Sequence, residues 1–209
     1  MPSKHAIAYI DGFNLFHGLK DRKWKQYYWL DPCALARNLI SGNTVFTVTQ
    51  VHYFTAPVRQ GRDKEGARRQ QIYLDALRTL PQLTIHFGKW VNKHMRCRKC
   101  GATWSKPEEK MSDVNIAVQL VQDAYEDRFD TAFLVSGDSD LTSPVQIVRD
   151  RFPDKEVRIA FPPRRRSRDL ATTADVAFSI GRPKFRDSQL PVQVTSIDGY
   201  VLTRPDTWC

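Results

Sequence analysis

Short runs of consecutive apolar residues alternate along this chain with longer segments in which apolar residues recur at helical spacing. Apolar-rich segments predict strands over 6–10, 83–87, 131–135, 157–161 and 176–180, and the alternation of β-branched and aromatic residues over 48–54 predicts another. The helical spacing predicts helices over 68–80, 141–150 and 167–171, one that begins at Ser112 with that serine as its N-cap, and one that follows the first strand. Strands that are apolar throughout are buried on both faces, so the pattern predicts a three-layer α/β fold around a mostly parallel sheet.

Two segments fit this alternation poorly, and they set the domain organisation. We expect one domain over 1–183, in which 89–109 is a small, basic, cysteine-containing insertion, and a C-terminal tail over 184–209. The tail has the composition to dock as an extra strand. No internal repeat and no low-complexity segment interrupts the domain.

The charge balance points to a polyanionic partner. Among 209 residues, 32 Lys and Arg against 23 Asp and Glu give a net charge of +9. Nucleic acid is the commonest partner of such a surface, and a generally solvated basic surface is the alternative. The basic residues cluster over 59–69, 89–99 and 164–168, with aromatic residues interleaved in the second cluster, which favours RNA. The residues expected to contact RNA are Lys89, Trp90, Lys93, Arg96, Arg98, Lys99, Arg164, Arg165 and Arg166.

The chain shows no apolar stretch long enough to cross a bilayer and no apolar leader with a cleavage site. We therefore expect a cytoplasmic protein without a membrane partner. The dense aromatic segment at Trp24, Tyr27, Tyr28 and Trp29 favours packing in the core or between subunits over base stacking. Self-association is for that reason a further expectation.

Acidic residues follow two of the predicted strands. Asp11 ends the first strand, and Asp138 and Asp140 come just after the strand over 131–135. Because sites in open α/β sheets form at the carboxyl ends of neighbouring strands, we expect these carboxylates to converge. Asn14 and Ser136 lie next to them in the sequence, and Asp113, at the start of the Ser112 helix, is a fourth carboxylate.

Carboxylates gathered in one cleft repel each other unless a cation lies among them, and hard oxygen ligands select Mg²⁺ or Mn²⁺. Such ions activate water and stabilise the charge on a reacting phosphodiester. Each acid also has an ordinary structural explanation: Asp11 as a turn former, Asp113 as a charge at a helix start, and Asp138 or Asp140 as a cap. Their joint position at two strand ends of a basic protein favours the metal site.

Three separated stretches, "YIDGFNLF", "EKMSDVNIAVQLVQDA" and "FDTAFLVSGDSDL", resemble the NYN domain, in the LabA-like subgroup of the PIN-like nuclease superfamily. The resemblance covers about 6–180 and implies a PIN-like Rossmannoid fold with a metal-dependent ribonuclease site. Carried over by motif, the catalytic residues are Asp11, Asn14, Asp113, Ser136, Asp138 and Asp140. The four aspartates would hold Mg²⁺ or Mn²⁺, while Asn14 and Ser136 would position a ligand water or the scissile phosphate.

The stretch "HMRCRKCGATW" contains Cys97 and Cys100 followed by glycine, which is the pattern of a zinc knuckle. A structural zinc ion needs four ligands, and only half a set is adjacent. His94, a more distant residue (His86, Cys33 or Cys209) or a second subunit would have to complete it. The alternative is a pair of reduced thiols on a loop.

These observations favour a metal-dependent ribonuclease. The alternative from a different class is a catalytically silent RNA-binding or regulatory module. A metal-dependent phosphoesterase acting on DNA or nucleotides is a third hypothesis. Cleavage that is lost on replacing Asp138 while binding is retained would favour the first.

Overall fold

The structure is a computed structural model that describes residues 4–40, 46–58 and 63–208. In chain order the strands are β1 (Lys4–Asp11), β2 (Phe46–Thr55), β3 (Leu83–Phe87), β4 (Lys89–Arg96), β5 (Thr103–Lys110), β6 (Thr131–Val135), β7 (Glu156–Phe161), β8 (Val176–Ser179), β9 (Gln193–Thr195) and β10 (Val201–Thr203). The α-helices are α1 (Gly12–Asp21), α2 (Pro32–Ile40), α3 (Lys64–Leu77), α4 (Ser112–Tyr125), α5 (Thr142–Arg151), α6 (Arg168–Thr173) and α7 (Arg182–Arg186).

Six strands form one central sheet in the order β3-β2-β1-β6-β7-β8, and every neighbouring pair is parallel. The chain fills one half of the sheet outward from β1 and the other half outward from β6. The two strands therefore meet where the strand order reverses, with Ile10 opposite Val135. The carboxyl ends of parallel strands border a crevice at such a point. The predicted neighbourhood of the first and fourth apolar runs is thus confirmed.

Helices cover both faces of this sheet because β1 alternates its side chains between two separate cores. Ala8 and Ile10 pack with residues of α1, α2 and α3, whereas Ile7 and Tyr9 pack with residues of α4, α5 and α6. A strand that must be apolar on both faces is the sequence signature of this arrangement. The predicted three-layer α/β fold with a parallel central sheet is confirmed.

The structure differs from the sequence-based expectation at the start of α4. Met111, with φ of 86°, holds the N-cap position, and Ser112 is the first helical residue. The hydroxyl of Ser112 donates to Glu109 Oε1 at 2.8 Å, and its backbone N–H points to the same oxygen at 3.3 Å. The predicted Ser112 cap is therefore wrong: the carboxylate of Glu109 satisfies the free N–H group at the start of the helix.

The segments outside the alternation form two antiparallel hairpins. β4 pairs with β5 over the insertion, and β9 pairs with β10 in the tail. The tail docks, but within the described residues it adds no strand to the central sheet. Instead, Trp208 packs against Tyr28 and Trp29, so the aromatic segment contributes to a core within the chain. No helix of the described residues is long and apolar enough to cross a membrane.

Candidate active site

Asp11 lies at the junction of β1 and α1 with only 3% of its surface exposed. One carboxylate oxygen accepts the backbone N–H of Asn14 at 2.9 Å and so caps α1, whereas the structural alternative considered for Asp11 was a turn former. The other oxygen accepts the hydroxyl of Ser136 at 2.9 Å. The second bond spans 125 positions of sequence and connects the ends of β1 and β6. Asp11 therefore joins the two strand ends in addition to starting a helix.

The turn after β6 is held by polar groups of the same set. The backbone N–H of Asp138 donates to the Ser136 hydroxyl at 3.1 Å, and that of Gly137 donates to Asn14 Oδ1 at 3.0 Å. Asp138 in turn accepts the backbone N–H of Asp140 at 3.0 Å, which is the capping role considered for it above. Asn14 and Ser136 thus position the turn that carries Asp138 and Asp140.

Gly137 allows this turn to lie against the loop between β7 and α6. A Cβ atom at Gly137 would be 1.9 Å from the carbonyl oxygen of Arg165, a contact that backbone atoms cannot relieve without moving. The glycine of the "SGDSD" sequence is therefore required by close packing. As a consequence, the segment with Arg164, Arg165 and Arg166 borders the acidic turn.

Asp113 reaches the same region from the first turn of α4, on the opposite face of the sheet from α1. Electrostatics show its proximity to the other acids. Burial, together with the negative charges of Asp138, Glu109 and Asp140, raises the pKa of Asp113 to about 6. Glu109 is a member of this acidic group that sequence reasoning missed. Glu109 is the first residue of "EKMSDVNIAVQLVQDA", but the sequence places it at the boundary of the insertion over 89–109. Its position near the end of β5 brings it to the site.

The pKa of Asp11 is raised as well, to about 6. Burial is the main cause, the hydrogen bonds from Asn14 and Ser136 oppose it, and the charges of Asp113 and Asp138 add to it. Mutual repulsion between groups on β1, on α4 and after β6 means that these carboxylates share one electrostatic environment. The structure thus brings together all six residues predicted from the three motifs.

Oxygen donors with unbalanced negative charge fit a hard divalent cation such as Mg²⁺ or Mn²⁺, which would relieve their repulsion. As the side chains stand, however, no three His, Cys, Asp or Glu residues within 4–40, 46–58 and 63–208 lie close enough to hold an ion. The carboxylates are near enough to raise each other's pKa without being gathered at ligand distances. A cation would have to draw them together.

The basic residues predicted to contact RNA divide between the hairpin and the β7–α6 loop. On the hairpin, Lys89, Lys93, Arg96, Arg98 and Lys99 are exposed. Trp90 is half-buried, donates its indole N–H to Pro57 O at 2.6 Å, and packs edge-on against Phe13 of α1. It therefore attaches the hairpin to the helix that starts at the site.

Two of the three loop arginines make contacts within the chain. Arg165 donates to Asp21 of α1, and the Arg166 guanidinium lies 5.3 Å from the centre of the Phe161 ring. Arg164 is exposed, with φ of 59°. Ser167 caps the short helix α6, as expected. Contact with RNA stays a prediction for all of these residues.

Cys97 and Cys100 lie in the turn between β4 and β5, where Gly101 has φ of 70°. The backbone N–H groups of Cys100 and Lys99 donate to the Cys97 sulfur and lower the pKa of its thiol. Of the further ligands considered, His94 is exposed on β4, whereas Cys33 is buried in the core and His86 is hydrogen-bonded to His52. Cys209 lies outside the described residues, as do positions 59–62 of the first basic cluster.

Comparison with known proteins gives a family and a fold. The sequence profile of the NYN domain matches residues 5–181. The 6-hydroxy-3-succinoylpyridine 3-monooxygenase HspA of Pseudomonas putida is 28% identical in an alignment 173 residues long. The match covers 68% of this chain and 54% of that protein. The chain thus spans about half the length of this relative. A solved structure of a protein of unknown function from Vibrio parahaemolyticus superposes with a TM-score of 0.56 at 18% identity, covering 90% of this chain and 97% of that one.

Proposed function

This chain belongs to the NYN domain family, a group with a nuclease-like fold, and we propose on that premise that it is a metal-dependent ribonuclease. The observation that carries the proposal is the shared environment of Asp11, Asp113 and Asp138 at the ends of β1 and β6. At the reversal of strand order, the charges of Asp113 and Asp138 raise the pKa of buried Asp11, and the charge of Asp138 raises the pKa of Asp113. Such a costly arrangement of like charges is retained where it serves a function.

Asp11, Asp113, Asp138 and Asp140 would hold Mg²⁺ or Mn²⁺. When bound, such an ion neutralises phosphate charge and lowers the pKa of a coordinated water. The protein's own contribution is positioning. Asn14 and Ser136 fix the turn after β6 through the hydrogen bonds described above, so Asp138 stays aligned with Asp11. Burial of Asp11 keeps bulk water from screening the centre.

The exposed cations of the β4–β5 hairpin supply a surface for the RNA backbone. Trp90 connects this hairpin to Phe13, two residues after Asp11, so the basic surface begins beside the acidic centre. Phosphate groups held by Lys89 and Lys93 would lead a strand towards that centre. Binding of this kind weakens with salt because counterions are released.

A second candidate is an RNA-binding module that does not cut. It is favoured by one observation: as the side chains stand, no three potential ligands in the described residues are close enough to hold an ion. The two candidates differ in what Asp138 does. In a nuclease its charge is essential for cleavage, whereas in a binding module its loss changes neither binding nor RNA integrity.

The test is cleavage of end-labelled single-stranded and hairpin RNA by the full chain with Mg²⁺, Mn²⁺ or EDTA, for wild type, Asp138→Asn and Asp150→Asn. Asp150 is an exposed aspartate on α5 and serves as the matched control. We expect metal-dependent cleavage by wild type and the control, and a loss of at least about a hundredfold in Asp138→Asn. RNA that all three proteins retard on a gel but leave intact would refute the nuclease and support the binding module.

A further inference from the structure

A cavity of about 340 Å³ opens beside the acidic centre, between α1, α3 and the C-terminal turn at Asp206–Trp208. Its wall includes Gly12 and Phe13, the two residues that follow Asp11. Tyr53 lines it too and packs tightly on Gly12: its hydroxyl oxygen would lie 2.7 Å from a Cβ atom placed on that glycine. The volume falls at the lower end of the range of about 300–1,000 Å³ for small-ligand sites.

Aromatic rings form one wall of this cavity. Phe16 and Tyr28 have ring centres 4.9 Å apart, and Tyr28 and Trp208 have ring centres 5.8 Å apart. Although it is a large apolar side chain, Phe16 leaves 40% of its surface exposed. Exposed aromatic faces beside a nucleic-acid site are stacking surfaces for bases, and they accept every base because each has a π-face.

Cationic side chains line the same cavity. Lys20 comes from α1 and Arg69 from α3, and Lys20 is exposed to solvent. Asp63 is the acidic residue among the described lining residues, and its carboxylate already accepts the backbone N–H of Gly66 at 2.7 Å. A planar ring held by the aromatic wall would thus have cations within reach for an attached phosphate.

We propose that this cavity binds a nucleobase of the RNA substrate, stacked against Phe16 and Tyr28, with its phosphate near Lys20 and Arg69. The inference rests on the proposed nuclease function and gives it a base-binding subsite. Because the cavity begins one residue after Asp11, a base bound there would place an adjoining phosphodiester at the carboxyl end of β1. The tail takes part through Trp208, which gives the docked C-terminus a role in substrate binding.

The experiment measures binding without cleavage, in EDTA, by tryptophan fluorescence, since Trp208 lines the cavity. The probes are UMP and AMP, with ribose 5-phosphate as the probe that lacks a base. We expect both nucleotides to change the fluorescence and ribose 5-phosphate to bind at least about tenfold more weakly, which is the size of one stacking interaction.

Two matched pairs of variants locate the site. Phe16→Ala should weaken nucleotide binding about tenfold, whereas Tyr125→Ala, which removes an aromatic ring that is 65% exposed on α4, should not change it. Arg69→Gln should weaken binding of the nucleotides severalfold, whereas Arg68→Gln, at the neighbouring exposed position, should not. Equal binding of ribose 5-phosphate and nucleotides, or equal behaviour within both pairs, would overturn the inference.

Failure of this inference and failure of the nuclease proposal give different results. A protein that cuts RNA but binds no mononucleotide at the highest soluble concentration refutes the base-binding subsite alone. A protein that binds UMP through Phe16 and Arg69 but cuts no RNA refutes the nuclease alone and leaves a nucleotide-binding cavity.

Discussion

Replacing Asp11 by asparagine should stabilise this protein in the absence of metal, and the gain should depend on pH. The folded chain raises the pKa of Asp11 from an ordinary value of 3.8 to about 6, mainly through burial. At pH 8 the carboxylate is therefore charged in both states but is less stable in the folded one. Asparagine keeps one oxygen that can accept the N–H of Asn14, presents an NH2 group that can donate to the hydroxyl oxygen of Ser136, and removes the charge.

The size of the effect follows from the two pKa values. A difference of about 2.2, at about 1.4 kcal/mol for each pKa unit, makes ionised Asp11 cost about 3 kcal/mol at pH 8. At pH 5 the folded state is mostly protonated while the unfolded state is mostly ionised, so the cost falls to about half of that. The advantage of Asp11→Asn over wild type should accordingly grow by about 1.4 kcal/mol between pH 5 and pH 8.

The assay is urea denaturation of wild type and Asp11→Asn in EDTA at both pH values. Any constant effect of the substitution on packing cancels when the two pH values are compared. Asp150→Asn, whose carboxylate is exposed to water, is the control and should show no such growth. A difference in free energy of unfolding between Asp11→Asn and wild type that is the same at pH 5 and pH 8 would show that the buried charge at Asp11 carries no cost.

Mg²⁺ at ten times its dissociation constant should stabilise wild type by about 1.4 kcal/mol and the variant much less.

Three further predictions concern other parts of the chain. Gly137→Ala should lower the free energy of unfolding by about 2 kcal/mol in urea denaturation, because the added Cβ atom would lie 1.9 Å from a backbone carbonyl oxygen. Gly181→Ala is the control and should cost little, because its Cβ atom would lie 3.7 Å from a proline side chain. Equal costs for the two variants would contradict close packing at Gly137. Asp123→Asn should cost about 3 kcal/mol near pH 7, because the buried Asp123 carboxylate pairs with a histidine and an arginine. Burial opposes ionisation of Asp123, but hydrogen bonds to its carboxylate hold its pKa below 3.8. The loss of unfolding free energy in Asp123→Asn should therefore shrink as the pH falls below about 4. A loss that stays constant down to pH 3 would refute the pairing. Cys97 and Cys100 can supply two of the four ligands of a zinc ion, and a second chain that shares the ion would supply the other two thiolates. For such sharing, metal analysis should give one zinc for two chains, and Cys97→Ser should abolish it. One zinc for each chain would contradict sharing and point to a ligand such as His94 within the same chain.

The sequence predicted the sheet because its strands carry local patterns: Thr131–Val135 is buried at every position, and the edge strand Leu83–Phe87 alternates apolar and polar residues. Leu83–Phe87 and Thr131–Val135 match the predicted strands over 83–87 and 131–135 residue for residue, and the predicted α/β class is confirmed. A continuous apolar run bounded by polar residues is a local signal, and it remains visible whatever packs against it. The strand ends, and with them Asp11 and Asp138, could be read in the same way.

The sequence was less informative where structure depends on contacts between distant residues. At the start of α4 the contact is local instead: the carboxylate of Glu109, three positions before Ser112, accepts the N–H and the hydroxyl of Ser112, while Met111 holds the N-cap position. The tail pairs β9 with β10 in a hairpin of its own, and its Trp208 packs against Tyr28 and Trp29. Propensity favours strands in the tail, but tertiary packing decides which strands they pair with.

The sequence by itself determined the elements, the basic character and the identity of the acids, because each is a property of neighbouring residues. Only the tertiary structure decided that Asp138 lies close enough to Asp113 to raise its pKa, and that Phe16, Arg69 and Trp208 line one cavity. The physical reason is that charge repulsion and cavity shape depend on distances in space between residues far apart in the chain. Burial then turns these distances into raised pKa values, which no sequence pattern contains.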